Sequence, residues 1–116
     1  MQSWNSSSPI YQQLADRLAV SLLDGDPQEG EAMPSVRALA SRYVINPLTV
    51  SRAMQALSDM GLVETRRGMG IYVCSGARDR LRSSEREQFL KEEWPALRER
   101  LARLGINAKD LNWETT

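Results

Sequence analysis

Between Pro34 and Val73 the hydrophobic period changes from helix to helix to strand, and few folds accommodate that order. Val36, Leu39, Ala40 and Tyr43 fall at i, i+3, i+4 and i+7, one apolar face of a short helix. Ser35 can cap that helix, or Pro34 can sit in its first turn. Val44-Ile45-Asn46 has room only for a turn, and the position before Pro47 disfavours helix at Asn46. Asn46 is then the cap of another helix with Pro47 at its first position. Val50, Ala53, Met54 and Leu57 face inward on it, while Leu48, Thr49, Ser51, Arg52 and Gln55 face outward. Gly61 ends it. Leu62 to Thr65 is a predicted strand, Arg66 to Gly70 a turn, and Ile71 to Val73 a second strand. The expected fold class is mainly α with a small β-hairpin.

Two short helices joined by a three- or four-residue turn form a helix-turn-helix, although spacing alone fits an ordinary αα-hairpin equally well. The hairpin that follows discriminates between them. Its tip, Arg66-Arg67-Gly68, combines forked cationic donors with a glycine that permits close backbone approach to phosphate. Placed after a helix-turn-helix, such a hairpin is a wing. In that arrangement the second helix presents its N-terminal residues to base edges, and Arg37 and Arg42 point away from the core. Gly68-Met69-Gly70 lacks a third glycine, a following helix and a Lys-Ser/Thr pair, so it is a poor nucleotide loop.

The balance of 15 basic and 15 acidic residues gives zero net charge, which taken alone argues against nucleic acid. The distribution reverses that argument. Residues 34–75 hold five arginines against two acids, whereas residues 1–33 hold one arginine against five acids. Phosphate binding depends on the local basic face. The sequence has no histidine and a single Cys74, which removes Ser-His-Asp and Cys-His catalysis, a disulfide, and the usual transition-metal ligands. Neither an enzyme nor a cofactor is expected. No apolar run reaches the ~20 residues of a membrane span, and the uncharged N-terminus does not resemble a signal peptide. No membrane partner is expected, and the expected location is cytoplasmic.

The flanks complete the architecture. Residues 1–8 are a polar end in which Trp4 packs locally, and Ser8 caps a helix with Pro9 at its first position. Ile10, Leu14, Leu18, Leu22 and Leu23 make its apolar stripe, and Gly25 ends it. The loop from Asp26 to Ala32 is expected to carry solvated acids and no site. Ser75-Gly76 reads as a hinge, and Ala77 to Leu104 is rich in helix formers. Leu90, Trp94, Leu97, Leu101 and Leu104 repeat at steps of 4, 3, 4 and 3, a heptad-like seam broadened by Phe89 and interrupted at Pro95. Asn107 opens a last turn that returns Leu111 and Trp113 to the seam, and residues 114–116 are a loose end. The stripe must be covered, either by its own head or by a second copy; the second copy is the favoured reading. Cys74 is expected to be a small, partly buried residue, with redox sensing the lesser reading.

Taken together, Pro9-Ile10-Tyr11-Gln12-Gln13-Leu14, Met33 to Ala40, Gly61 to Glu64 and Arg67 to Val73 resemble the GntR family of bacterial transcription regulators. Asn46-Pro47-Leu48-Thr49-Val50 is similar to its YtrA-type and MocR-type branches. The short helical tail with Leu104-Gly105-Ile106 favours the YtrA-type branch, since a MocR-type aminotransferase-like domain has no room here. The resemblance implies a winged helix-turn-helix head, expected at 1–75, and a helical dimerisation tail, expected at 76–116. It places DNA contacts on Arg37, on Asn46, Leu48, Thr49 and Ser51 with Arg52 beside them, and on Arg67 and Gly68. Ser35 and Arg66 complete the candidate set. Many relatives carry an arginine where Pro47 stands, so one base contact is missing. The loop Gly25-Asp26-Pro27 to Glu29-Gly30 also departs from the family pattern. The implied function is a homodimeric repressor on a palindromic operator in double-stranded DNA, the alternative being a winged-helix protein-interaction module. The sequence indicates no effector.

Overall fold

A computed structural model of the chain describes residues 4–114. The outermost parts of the two expected loose ends, residues 1–3 and 115–116, lie outside the described residues. The described chain falls into two compact units, one ending at Arg82 and the other beginning at Ser83.

In the first unit, helix α1 (Ile10–Leu23) buries Leu14, Ala15, Leu18, Ala19 and Leu22 along one stripe. Its start differs from the expected Ser8 cap. Pro9 is extended (φ −58, ψ 149) and is itself the N-cap, with no side-chain cap. Gln13 takes over the organisation of this end: its side chain accepts from the Asn5 N–H and donates to the Asn5 and Ser8 carbonyls. Trp4 packs locally as expected, 6.0 Å from the Tyr43 ring and beneath the Arg17 guanidinium. Gly25 (φ 81) follows the C-cap Asp24, as a left-handed terminator should.

Helix α2 (Val36–Tyr43) is capped by Ser35, whose Oγ accepts from Ala38 N at 3.0 Å. Helix α3 (Pro47–Asp59) is capped by Asn46, whose Oδ1 accepts from Leu48 N at 2.8 Å. Val50, Ala53, Met54 and Leu57 are buried, the four inward positions expected. Between these helices Val44 adopts φ 54, ψ 57 while Val44 and Ile45 both donate to the Ala40 carbonyl.

The hairpin pairs β1 (Val63–Arg66) with β2 (Gly70–Val73), antiparallel, with Val63 opposite Val73 and Arg66 opposite Gly70. Leu62 lies outside the ladder. It is 1% exposed and plugs the core, its N–H held by Leu57 O and its carbonyl by Cys74 N. Gly70 belongs to the strand, so the turn is only Arg67-Gly68-Met69. The loop before α2 is also more than a connector. Met33 N donates to Ile71 O, Val73 N to Glu31 O, and Ala32 bridges Tyr72, which adds a short third edge to the hairpin. The acidic, glycine-containing run gave no alternation by which to foresee it.

Helix α4 (Ala77–Gln88) starts inside this unit, because Ala77 and Leu81 are buried with the other core residues. The sequence boundary at 75/76 and the compact division after Arg82 thus differ by two helical turns. Gly76, expected as a hinge, donates its N–H to Glu29 Oε1 at 2.8 Å. Arg78 N donates to Glu29 Oε2 at 3.1 Å, so Glu29, exposed as expected of the loop's acids, also caps α4.

In the second unit a π-helical turn, Phe89–Glu93, separates α4 from α5 (Trp94–Arg103). Its cause is Pro95, whose ring excludes the carbonyl four residues earlier and has no N–H to give it. The backbone widens before the proline, and Trp94 N bonds to Phe89 O, five residues back. Gly105 (φ 70) ends α5 with Ile106 N on Leu101 O. Asn107 precedes a short turn, Ala108–Asp110, and its N–H donates to the Asp110 carboxylate. Trp113, expected back on the seam, is 88% exposed.

Candidate nucleic-acid interface

The N-terminal turns of α2 and α3 and the hairpin carry the candidate residues. At α3 the backbone is already satisfied. Pro47 has no N–H, Leu48 N is held by the Asn46 side chain, and Thr49 N and Val50 N by the Asn46 carbonyl. What this turn presents outward is therefore side chains: Leu48 and Ser51 exposed, Thr49 half-buried, and the remaining amide group of Asn46. At α2 the reverse holds. Ser35 satisfies Ala38 N and Leu39 N, and no acceptor among the described residues meets the Val36 and Arg37 amides. Two free N–H groups at a helix start, with a serine hydroxyl beside them, make a local donor cluster.

The hairpin borders both turns. Ser35 and Val36 share one groove with Met69, Gly70 and Ile71. Val36 and Ser51 share another with Thr65 and Ile71. Ser35, Ser51 and the hairpin are thereby brought together.

The five arginines of this stretch divide into two kinds. Arg37, Arg42 and Arg67 are exposed and have no acidic partner among the described residues. Arg52 stacks on Tyr11 of α1, its guanidinium carbon 4.2 Å from the ring centre. Arg66 stacks on Tyr72 at 4.2 Å and lies 3.9 Å from the Glu64 carboxylate. Both are cation–π contacts, which hold a long side chain in one direction. Of the five arginines read as outward, two are thus stacked on aromatic rings. The wing partner could have been foreseen, since Tyr72 pairs with Glu64 and lies diagonal to Arg66 on one face. Tyr11 could not, because it sits on another helix.

Cys74 is partly buried, and its Sγ lies 3.6 Å from Glu64 Oε1. Burial, and then the hydrogen bond to the Glu64 carboxylate, push the thiol up from its ordinary value. Raising it suppresses the thiolate and makes the sulfur less reactive.

The tail residues singled out by the heptad lie along the second unit. Phe89, Leu90, Leu97 and Leu104 are 40%, 49%, 41% and 62% exposed. Trp94 and Leu101 are half-buried. No described residue from 83 onward is buried, and among the described residues no helix is long and apolar enough to cross a membrane.

Comparison with known proteins agrees with this geometry. Residues 10–73, from the start of α1 to the end of β2, match the model of the bacterial regulatory proteins of the gntR family. YhcF of Bacillus subtilis, named as an HTH-type transcriptional regulator, is 35% identical over 77% of this chain and 78% of its own length. The HTH-type transcriptional repressor YtrA of the same organism is 41% identical over 66% of this chain, which spans 58% of that protein. A GntR-family transcriptional regulator from Listeria monocytogenes superposes with a TM-score of 0.70 at 27% identity, covering 91% of each chain. These relatives are named as regulators of transcription and none as an enzyme. The chain belongs to the GntR family of bacterial regulatory proteins, in its YtrA-type branch.

Proposed function

We propose that this regulator is a cytoplasmic homodimeric repressor whose two heads read the halves of a palindromic operator. The observation that carries the reading is the first turn of α3. Its amides are internally satisfied, Leu48 and Ser51 are exposed, and among the described residues the exposed Arg37 and Arg67 have no acidic partner. Leu48 meets a thymine methyl, while Asn46, Thr49 and Ser51 supply polar contacts to base edges. Ser35, Arg37 and the free amides of α2 take one phosphate strand, and Arg67 with Gly68 takes another at the wing tip. Arg52, steadied by Tyr11, borders this face. Arg66, stacked on Tyr72 at the end of β1, precedes the wing tip. The repressor name of YtrA supports the direction of control.

The second half of the reading is a DNA-binding head joined to a dimerisation tail. Phe89, Leu90, Trp94, Leu97, Leu101 and Leu104 form the proposed dimer seam. An apolar stripe on an otherwise charged helix is stabilised by meeting its own copy.

Selection from a pool of random duplexes tests both halves. The expected product is a pair of half-sites related by a two-fold axis. Arg67→Ala and Arg52→Ala should keep the fold and weaken binding to the selected duplex, with the salt slope of Arg67→Ala smaller by about 1. A pool without enrichment, or unchanged affinity and slope in both variants, overturns the reading.

A further inference from the structure

The turn between β2 and α4 carries more bonding than a connection needs. Arg80 Nη2 donates to the Gly61 carbonyl at 2.6 Å and to the Ser75 carbonyl at 3.2 Å. Gly61 is the residue that ends α3, at φ 75, and Gly76 opens α4, at φ 79. A Cβ on Gly76 would stand 2.9 Å from Arg80 Nη1, and one on Gly61 would stand 3.6 Å from Nε. The guanidinium thus occupies a slot with a glycine on either side. The carbonyl it holds lies just past the C-terminal end of α3, where the helix dipole favours a cation. A lysine would supply the charge, but it could not reproduce the flat fork. Arg78 Nε adds a bond to Leu23 O at the end of α1, at 2.7 Å.

We infer that Arg80 is a positioning residue for DNA recognition, locking the C-terminal end of α3 to the first turns of α4. The helix that reads DNA and the first turns of α4, up to Arg82, are then held together. This rests on the operator reading above. Its consequence is that Arg80 sets how strictly the spacing between half-sites is enforced, while leaving recognition within a half-site alone.

Arg80→Met keeps the aliphatic stem and the helix propensity and removes the fork. Two measurements on the full chain follow. In the free protein, amide exchange at Met60 and Gly61 should be several-fold faster than in the wild type, with exchange at Leu18 and Leu22 unchanged. On DNA, the duplex selected by the wild type is remade with base pairs inserted or removed between its halves. The wild type should fall off steeply with spacing. Arg80→Met should lose affinity at the native spacing, bind the series almost evenly, and bind an isolated half-site as the wild type does. A wild-type spacing profile overturns the inference, as does a uniform loss on every duplex including the half-site. If the wild type selects no two-part site, the operator reading fails instead, and exchange alone decides Arg80, unchanged rates overturning it. Should the methionine unfold the head, Arg80→Lys carries the same two measurements, with a smaller effect in each.

Discussion

Val44 is the most strained residue of the recognition turn. It is β-branched, 85% exposed, and left-handed at φ 54. That conformation costs a residue with a Cβ about 1–2 kcal/mol. The bonds from Val44 N and Ile45 N to Ala40 O hold it there. Val44→Asn tolerates this region better, so it should raise stability by about 1 kcal/mol in urea titration. A lowered midpoint would mean that the valine side chain contributes packing its exposure hides. Glu29 gives a pH-dependent counterpart. The N–H groups of Gly76 and then Arg78 hold its carboxyl below the ordinary 4.5. With the folded value depressed, its contribution is fully present above the unfolded value and is lost as pH falls through the folded one. The advantage of wild type over Glu29→Gln should therefore be constant near neutrality and vanish on acidification below 4.5. An advantage independent of pH would remove the carboxylate from the explanation. At this scale the sequence was legible where partners are near. Ser35 and Asn46 bond groups three and two positions on. Glu29 bonds groups 47 and 49 positions on, and no local pattern announces that.

Elements were legible in kind and less so at their edges. The three head helices follow the apolar spacing, and α3 buries the four residues expected of it. The first strand starts one residue later because Leu62 gains more from filling the core than from joining a ladder, and the second gains Gly70, which pairs with Arg66. The tail illustrates how a single residue changes an element's register. A heptad count aligns Leu90 with Trp94, but the π turn ahead of Pro95 places Phe89 one turn behind Trp94 in the bonding pattern. The interruption at Pro95 was expected, but the count carried no change of register across it. Pro95→Ala restores the missing N–H, so the π turn should revert to α-helix and rotate Phe89 away from the Trp94 side. Helix stability should rise by up to about 3 kcal/mol. Circular dichroism should show greater helicity, and a crystal structure of the variant would give the bond from residue 94 to residue 90. A retained π turn would assign its cause to packing rather than to the proline.

For the whole molecule, zero net charge pointed away from nucleic acid, and only its uneven distribution pointed back. On the proposed reading, the distribution accounts for a contact surface but supplies limited affinity: one short reading turn, Arg37 and a wing tip carrying Arg67 are a small footprint for a single head. Pairing two heads makes the second docking event intramolecular, and avidity then exceeds either single affinity by about 10²–10⁴. On the proposed reading, that gain depends on the seam. Leu97 is 41% exposed and Leu101 half-buried, so a carboxylate at either position stays hydrated in the monomer and is buried only on pairing. Leu97→Asp and Leu101→Asp should therefore run as monomers in light scattering while the head melts as in the wild type. Binding to a two-part site should fall by about 10²–10⁴, and binding to one half-site should not change. Variants that remain dimeric would move the interface off these residues. Variants that become monomers yet bind the two-part site undiminished would show that pairing contributes nothing to recognition.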